Sequence, residues 1–75
     1  MTEARTIEIR DDSIRLGQLL KLADFIDHGS EARELLIQGV VLVNGEVETR
    51  RGRQLVPGDS VTVRGETVGI EGRGH

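Results

Sequence analysis

The dipeptide Asn44-Gly45 separates an aliphatic run, VVLV at Val40 to Val43, from a short segment that begins Glu46-Val47. Asn-Gly accepts the left-handed backbone needed at both central positions of a type I′ turn, whose twist matches that of two paired strands. A two-residue turn at this point pairs Val43 with Glu46 and Leu42 with Val47. Leu42 and Val47 are both apolar, so the pair is expected to share one buried face.

Immediately beyond this hairpin the chain reads ETRRGR, Glu48 to Arg53. It places Arg50, Arg51 and Arg53 together in a chain of 75 residues with a formal net charge of -3. A local positive field inside an acidic chain calls for a partner or a structural reason, because field depends on where charges sit.

The remaining elements follow from periodicity and punctuation. Thr6 to Arg10, TIEIR, alternates apolar and polar residues, which predicts a strand with Ile7 and Ile9 inward; Asp11-Asp12-Ser13 then turns the chain. Leu16, Leu19, Leu20, Ala23 and Ile26 recur at helical spacing, predicting a helix from about Gly17 to Asp27 with Lys21 and Asp24 on its polar face. Gly17 is a poor residue for a helix interior and is better placed at a cap.

His28-Gly29 breaks the pattern. Ser30 is then expected to cap a second helix, with Glu31 in its first turn, Ala32, Leu35 and Leu36 as its apolar stripe, and Gly39 as its stop. Pro57-Gly58-Asp59 marks a turn, SVTVR a strand, Gly65-Glu66 a further turn and TVGIE a weaker last strand. The C-terminal residues 71–75 are expected to fray. The order of elements, a strand, two helices and then several strands, predicts one α+β domain over residues 1–75.

Composition narrows the chemistry. There is no cysteine, hence no disulfide and no cysteine-ligated zinc. Neither a signal peptide nor a long apolar span is visible at the N-terminus, and a cytoplasmic location away from membranes is expected.

Two histidines, His28 and the terminal His75, with no recognisable nucleophile, base and orienter, predict a protein that is not an enzyme. Asp24, Asp27, Glu31 and Glu34 match no calcium-loop spacing and read as a solvated helix surface. The glycines form neither a GxxxxGK[ST] nor a GxGxxG loop. No cofactor or metal is expected.

The arginines remain. A solvated loop is the bland account of them. A binding surface is the alternative, since Lys21 and Arg33 on exposed helix faces are free to extend it. Phe25 is the only aromatic residue, and its position among helical residues places it with the core, so bases have no stacking platform. If the partner is nucleic acid, recognition rests on phosphate contacts and shape, as for structured RNA. Arginine suits that task because its planar fork grips phosphate through two hydrogen bonds.

The run RLGQLLKLADFIDHGSEARELLIQGVVLVNGEV, followed by VPGDSVTV, resembles the S-four RNA-binding domain. SEARELLIQG, VLVNGE and PGDSV are its most specific pieces, and the resemblance covers Ile14 to about Val63. The hairpin segment VNGEVETRRGR is most similar to the small stand-alone YbcJ-like branch.

The resemblance implies an alpha-L motif, two helices packed against a small, mainly antiparallel sheet with its core between residues 14 and 63, and an RNA-binding surface that includes Lys21, Arg33, Arg50, Arg51 and Arg53, joined by Arg15. It implies structured RNA, ribosomal RNA among the candidates, as partner. Two departures stand out: Gly17 where many members carry aspartate after Arg-Leu, and His28-Gly29 where many carry Ser-Arg. The alternative function is a protein-interaction module, its basic loop docking on an acidic surface of a ribosome-associated protein or enzyme.

Overall fold

A computed structural model describes residues 5–72. Its larger sheet has the strand order β1 (Arg5–Ile9), β7 (Glu66–Gly72), β6 (Ser60–Val63), β3 (Val41–Val43) and β4 (Glu46–Val47). Only β1 and β7 run parallel; the other neighbours are antiparallel. A second sheet pairs β2 (Ile14–Arg15) with β5 (Gln54–Leu55). The helices are α1 (Leu16–Leu22) and α2 (Ser30–Ile37). This is the α+β arrangement that the sequence predicts, two helices with a mainly antiparallel sheet. Of the residues expected to fray, Glu71 and Gly72 belong to β7 and 73–75 lie outside the described residues.

Asn44 and Gly45 turn the hairpin with φ of 52° and 87°, both left-handed as a type I′ turn requires. The register is the expected one, Leu42 opposite Val47 and Val43 opposite Glu46. The buried face is not. Val41 and Val43 enter the core, whereas Leu42 is half-buried and Val47 is 58% exposed. In VVLV every residue is apolar, so alternation gives no clue to the inward side. The choice is made by β6, whose buried Val63 and Val61 stand opposite Val41 and Val43. β4 is a two-residue edge strand and receives no cover.

The side chain of Asn44 also ties two turns together. Its amide donates to Asp59 Oδ1 at 3.1 Å, and its Oδ1 accepts from the Ser60 N–H at 2.9 Å. Asp59 Oδ2 accepts from the Val56 N–H across the Pro57-Gly58 turn at 2.9 Å.

Three further boundaries differ from expectation. The last turn is Arg64-Gly65, with φ of 51° and 86°, so Glu66 already belongs to β7. That last strand is not weak: seven residues long, it lies between β1 and β6, with Val68 and Ile70 buried. Its parallel partner comes from the opposite end of the chain, and local patterning carries no trace of it.

Helix α1 stops at Leu22 instead of Asp27. Asp24 adopts φ of 64°, the Asp24 N–H donates to the Lys21 carbonyl at 3.1 Å, and the Phe25 N–H donates to the Leu20 carbonyl at 2.9 Å. This pair of bonds is a Schellman ending. Ala23 and Ile26 remain buried past the helix end, which is why the apolar spacing outlasts the helix.

Ser30 does not cap α2. It is the first helical residue, the N-cap position belongs to Gly29, and no side-chain cap bond is made. The Glu31 carboxylate instead accepts from the His28 N–H at 3.2 Å, and the His28 carbonyl accepts from the Glu31 N–H at 3.0 Å. The Glu31 side chain reaches back to an N–H ahead of the N-cap, in the manner of a capping-box glutamate, while the N–H groups of Glu31 and Ala32 that a capping serine would take go to the His28 and Gly29 carbonyls.

One aliphatic core joins these parts. Leu16, Leu19 and Leu20 of α1 meet Ala32, Leu35 and Leu36 of α2 and the inward valines of the sheet. Phe25 is half-buried and packs against this cluster, with the Arg5 guanidinium 5.5 Å from its ring centroid.

Candidate nucleic-acid interface

The loop from Glu48 to Arg53 is organised by its one acid. Glu48 is 7% exposed, the sole charged residue among those buried in the described chain. Its Oε2 accepts from the N–H groups of Thr49 and Arg50 at 3.0 and 2.9 Å and from Arg50 Nε at 3.1 Å. Its Oε1 accepts from Arg50 Nη2 at 3.2 Å and Arg53 Nη1 at 2.8 Å. A buried carboxylate is tolerated only when paired and hydrogen-bonded, and this one is both. The Arg50 side chain, then its N–H, then Arg53 hold the Glu48 carboxyl well below the usual carboxylate range against the opposing effect of burial. The pairing in turn raises the Arg50 guanidinium above its ordinary value.

The same loop is docked on α1 through its backbone. The first N–H groups of a helix lack partners within it. Here the Leu16 N–H donates to the Arg53 carbonyl at 2.8 Å and the Gly17 N–H to the Arg51 carbonyl at 3.0 Å. Pairing of β5 with β2, Leu55 opposite Ile14 and Gln54 opposite Arg15, fixes the loop's far end. Three separate restraints therefore hold the arginines.

Those restraints give the three arginines different surroundings. Arg50 and Arg53 pair with Glu48. Arg51 makes no ion pair among the described residues and lies across α1 toward the start of α2. A methyl group placed on Gly17 would come within 2.8 Å of Arg51 Cγ and 3.0 Å of its Nε, and one on Gly29 within 3.2 Å of Nη2.

A concave cavity of about 550 Å³ opens here. Its side chains are Arg15, Gln18, Lys21 and Arg51, and the rest of its wall is Gly17, Gly29 and Gly52. No acidic residue lines it.

The structure thus brings Arg15, Lys21 and Arg51 to one cavity. Arg33 stands exposed on α2 and is not among the lining residues. Arg50 and Arg53 stay with Glu48 at the base of the loop. Glu48 and the start of α1 hold the loop in place. Glu48, Gln18 and the two cradling glycines are absent from the sequence-derived site. The lone acid adjoining three arginines and the ill-placed Gly17 are the signals that point to them.

Among the described residues, no group of three or more His, Cys, Asp or Glu side chains is placed to hold a metal ion. No helix of the described chain is long and apolar enough to cross a membrane.

The fold that carries this cavity, two helices with a mainly antiparallel sheet, has known counterparts. Residues 7–71 match the family model of the S4 domain, and the chain belongs to that family. It is 48% identical over 62 residues to RlbA of Bacillus subtilis, named a probable ribosome maturation protein, across 83% of this chain and 87% of that one.

YbcJ of Escherichia coli is 35% identical over 57 residues, 76% of this chain and 81% of that protein. The solution structure of YbcJ, described as revealing an alpha-L motif involved in RNA-binding, superposes with a TM-score of 0.71. It is 30% identical and covers 95% of this chain and 91% of that one. The small ribosomal subunit protein uS4m of Schizosaccharomyces pombe is 44% identical over 54 residues, 72% of this chain but 16% of that longer protein.

Proposed function

We propose that this chain is a non-enzymatic, cytoplasmic RNA-binding protein. Its partner is structured RNA, with ribosomal RNA as the leading candidate. Arg15, Lys21 and Arg51 contact backbone phosphates at the cavity, and Arg33, Arg50 and Arg53 extend the positive surface around it. The observation that carries the reading is the cavity itself: three cations and no acid converge there in a chain whose net charge is -3.

Its family and the description of the YbcJ structure support RNA as the ligand. The names of RlbA and uS4m support a ribosomal setting. With one half-buried phenylalanine, the chain has no aromatic platform for unpaired bases, so phosphate geometry is left as the means of recognition.

The test is a salt titration of binding to a hairpin RNA and to an unstructured strand of the same length. The hairpin should bind more tightly, and the logarithm of its affinity should fall linearly with the logarithm of salt concentration. Equal affinity for both RNAs defeats the shape component. Absence of binding to either RNA, with capture of an acidic protein by the same loop, replaces this reading with a protein-docking one.

A further inference from the structure

We propose that Gly17 and Gly29 are positioning residues of the interface. Together their missing side chains form the groove that seats Arg51 at the cavity. The proposal rests on the RNA-binding reading for its function and on geometry alone for its structure.

Gly17 is the second residue of α1 and is buried. Its backbone is helical and needs no left-handed freedom, since the positive-φ residues of the described chain do not include it. Within a helix, glycine is ordinarily a worse choice than alanine. Local structure therefore gives no reason for a glycine here.

The reason lies across the loop. The atom nearest a Cβ on Gly17 is Arg51 Cγ at 2.8 Å, closer than real Cβ contacts allow. Cγ is near the root of that side chain, so a tip rotation does not relieve the clash. The whole Arg51 side chain must leave.

Gly29 belongs to the other wall. Its φ of -57° and ψ of -30° are also open to any residue. A Cβ there meets only Arg51 Nη2 at 3.2 Å, the flexible end, so the guanidinium has to give a little. The two glycines thus border the same side chain, one near its root and one at its tip. The Arg51 carbonyl is meanwhile held by the Gly17 N–H at 3.0 Å, so the backbone stays docked even if the side chain is evicted. Arg51 is exposed, and its departure into solvent opens no hole in the core.

The consequence is an opposition between stability and binding. Gly17→Ala should keep or raise the melting temperature, because the helix gains a better residue. It should also weaken hairpin RNA binding about tenfold, the loss expected from one charge-assisted hydrogen bond. Gly29→Ala should weaken binding less. Arg51→Ala should resemble Gly17→Ala, and the double variant should bind no worse than Arg51→Ala alone, since both changes remove the same contact.

The experiment is thermal melting and RNA titration of wild type, the two glycine variants, Arg51→Ala and Gly17→Ala/Arg51→Ala. NMR detection of the Gly17 Hα to Arg51 side-chain NOE accompanies it in wild type and in Gly29→Ala. Wild-type binding by Gly17→Ala, multiplicative losses in the double variant, or a marked fall in the melting temperature of Gly17→Ala each overturns the proposal. So does absence of the NOE in wild type. A present NOE with no RNA bound by wild type upholds the seating of Arg51 and sinks the RNA reading instead.

Discussion

Glu48 Oε1 accepts a hydrogen bond from Arg53 Nη1 at 2.8 Å, and through that contact a buried carboxylate closes the base of the arginine loop. The other contacts of the same carboxylate bring in Arg50 and two backbone N–H groups, so one side chain sets the path of the loop. Glu48→Gln keeps the shape but replaces an anion with an amide facing two guanidinium groups. A urea melt at neutral pH should show a loss of about 1.5–3 kcal/mol, the range for hydrogen bonds to charged groups. An unchanged midpoint would mean that the loop is held by its docking on α1 alone.

The same group makes stability depend on acid. Glu48 is held below its ordinary value of 4.5, and Asp59 below 3.8, the latter by the Val56 N–H first and the Asn44 amide second. A carboxyl lowered in the folded state binds its proton more readily when unfolded. Its contribution is complete above the unfolded value and declines as pH falls below it. Melts between neutral pH and about pH 3 should therefore show wild type losing stability below about pH 4.5, with Glu48→Gln showing a shallower decline. Parallel curves for the two proteins would contradict the assignment.

Substitution by threonine separates the two faces of the first hairpin. Threonine keeps the shape of valine and adds a hydroxyl. Val43→Thr buries that hydroxyl without a partner and should cost about 1–3 kcal/mol. Val47→Thr sits on an exposed edge and should change stability by less than about 0.5 kcal/mol. A costlier Val47→Thr in chemical denaturation would restore the expected burial of the Leu42 and Val47 pair.

At the start of α2, Glu31→Ala removes the contact to the His28 N–H and should cost about 0.5–1.5 kcal/mol. Ser30→Ala should be near neutral, within about 0.5 kcal/mol, because the serine side chain makes no cap bond there. Thermal melts in which the serine change is the costlier one would return the capping role to Ser30.

The arginines divide into two classes under alanine substitution. Arg51→Ala should leave the melting temperature in place and reduce the slope of log affinity against log salt by about one, as loss of one phosphate contact does. Arg53→Ala should lower the melting temperature, because it strands part of the Glu48 carboxylate. A salt titration with hairpin RNA, paired with melts, reads both. Loss of stability in Arg51→Ala with no change of slope would reverse the division.

What the sequence determines by itself here is local. Asn44-Gly45 sets a turn and a register because left-handed backbone is accessible to those two residues and a two-residue loop admits one pairing. The spacing of Leu16, Leu19, Leu20, Ala23 and Ile26 marks one buried face because those side chains have nowhere else to go. The three arginines announce a positive loop because charge is written in composition.

Tertiary structure decides everything that depends on who arrives from elsewhere in the chain. β6 chooses the inward face of β3, because an all-apolar strand offers either side. β1, from the far end of the chain, turns the last strand from an edge into an interior one. Packing buries Glu48, and only because its carboxylate has left water are the neighbouring Arg50 and Arg53 drawn in to neutralise it. Arg51 is left for the cavity, seated where two glycines on separate elements leave space. A missing side chain is visible in the sequence, but what fills its place is a fact of packing.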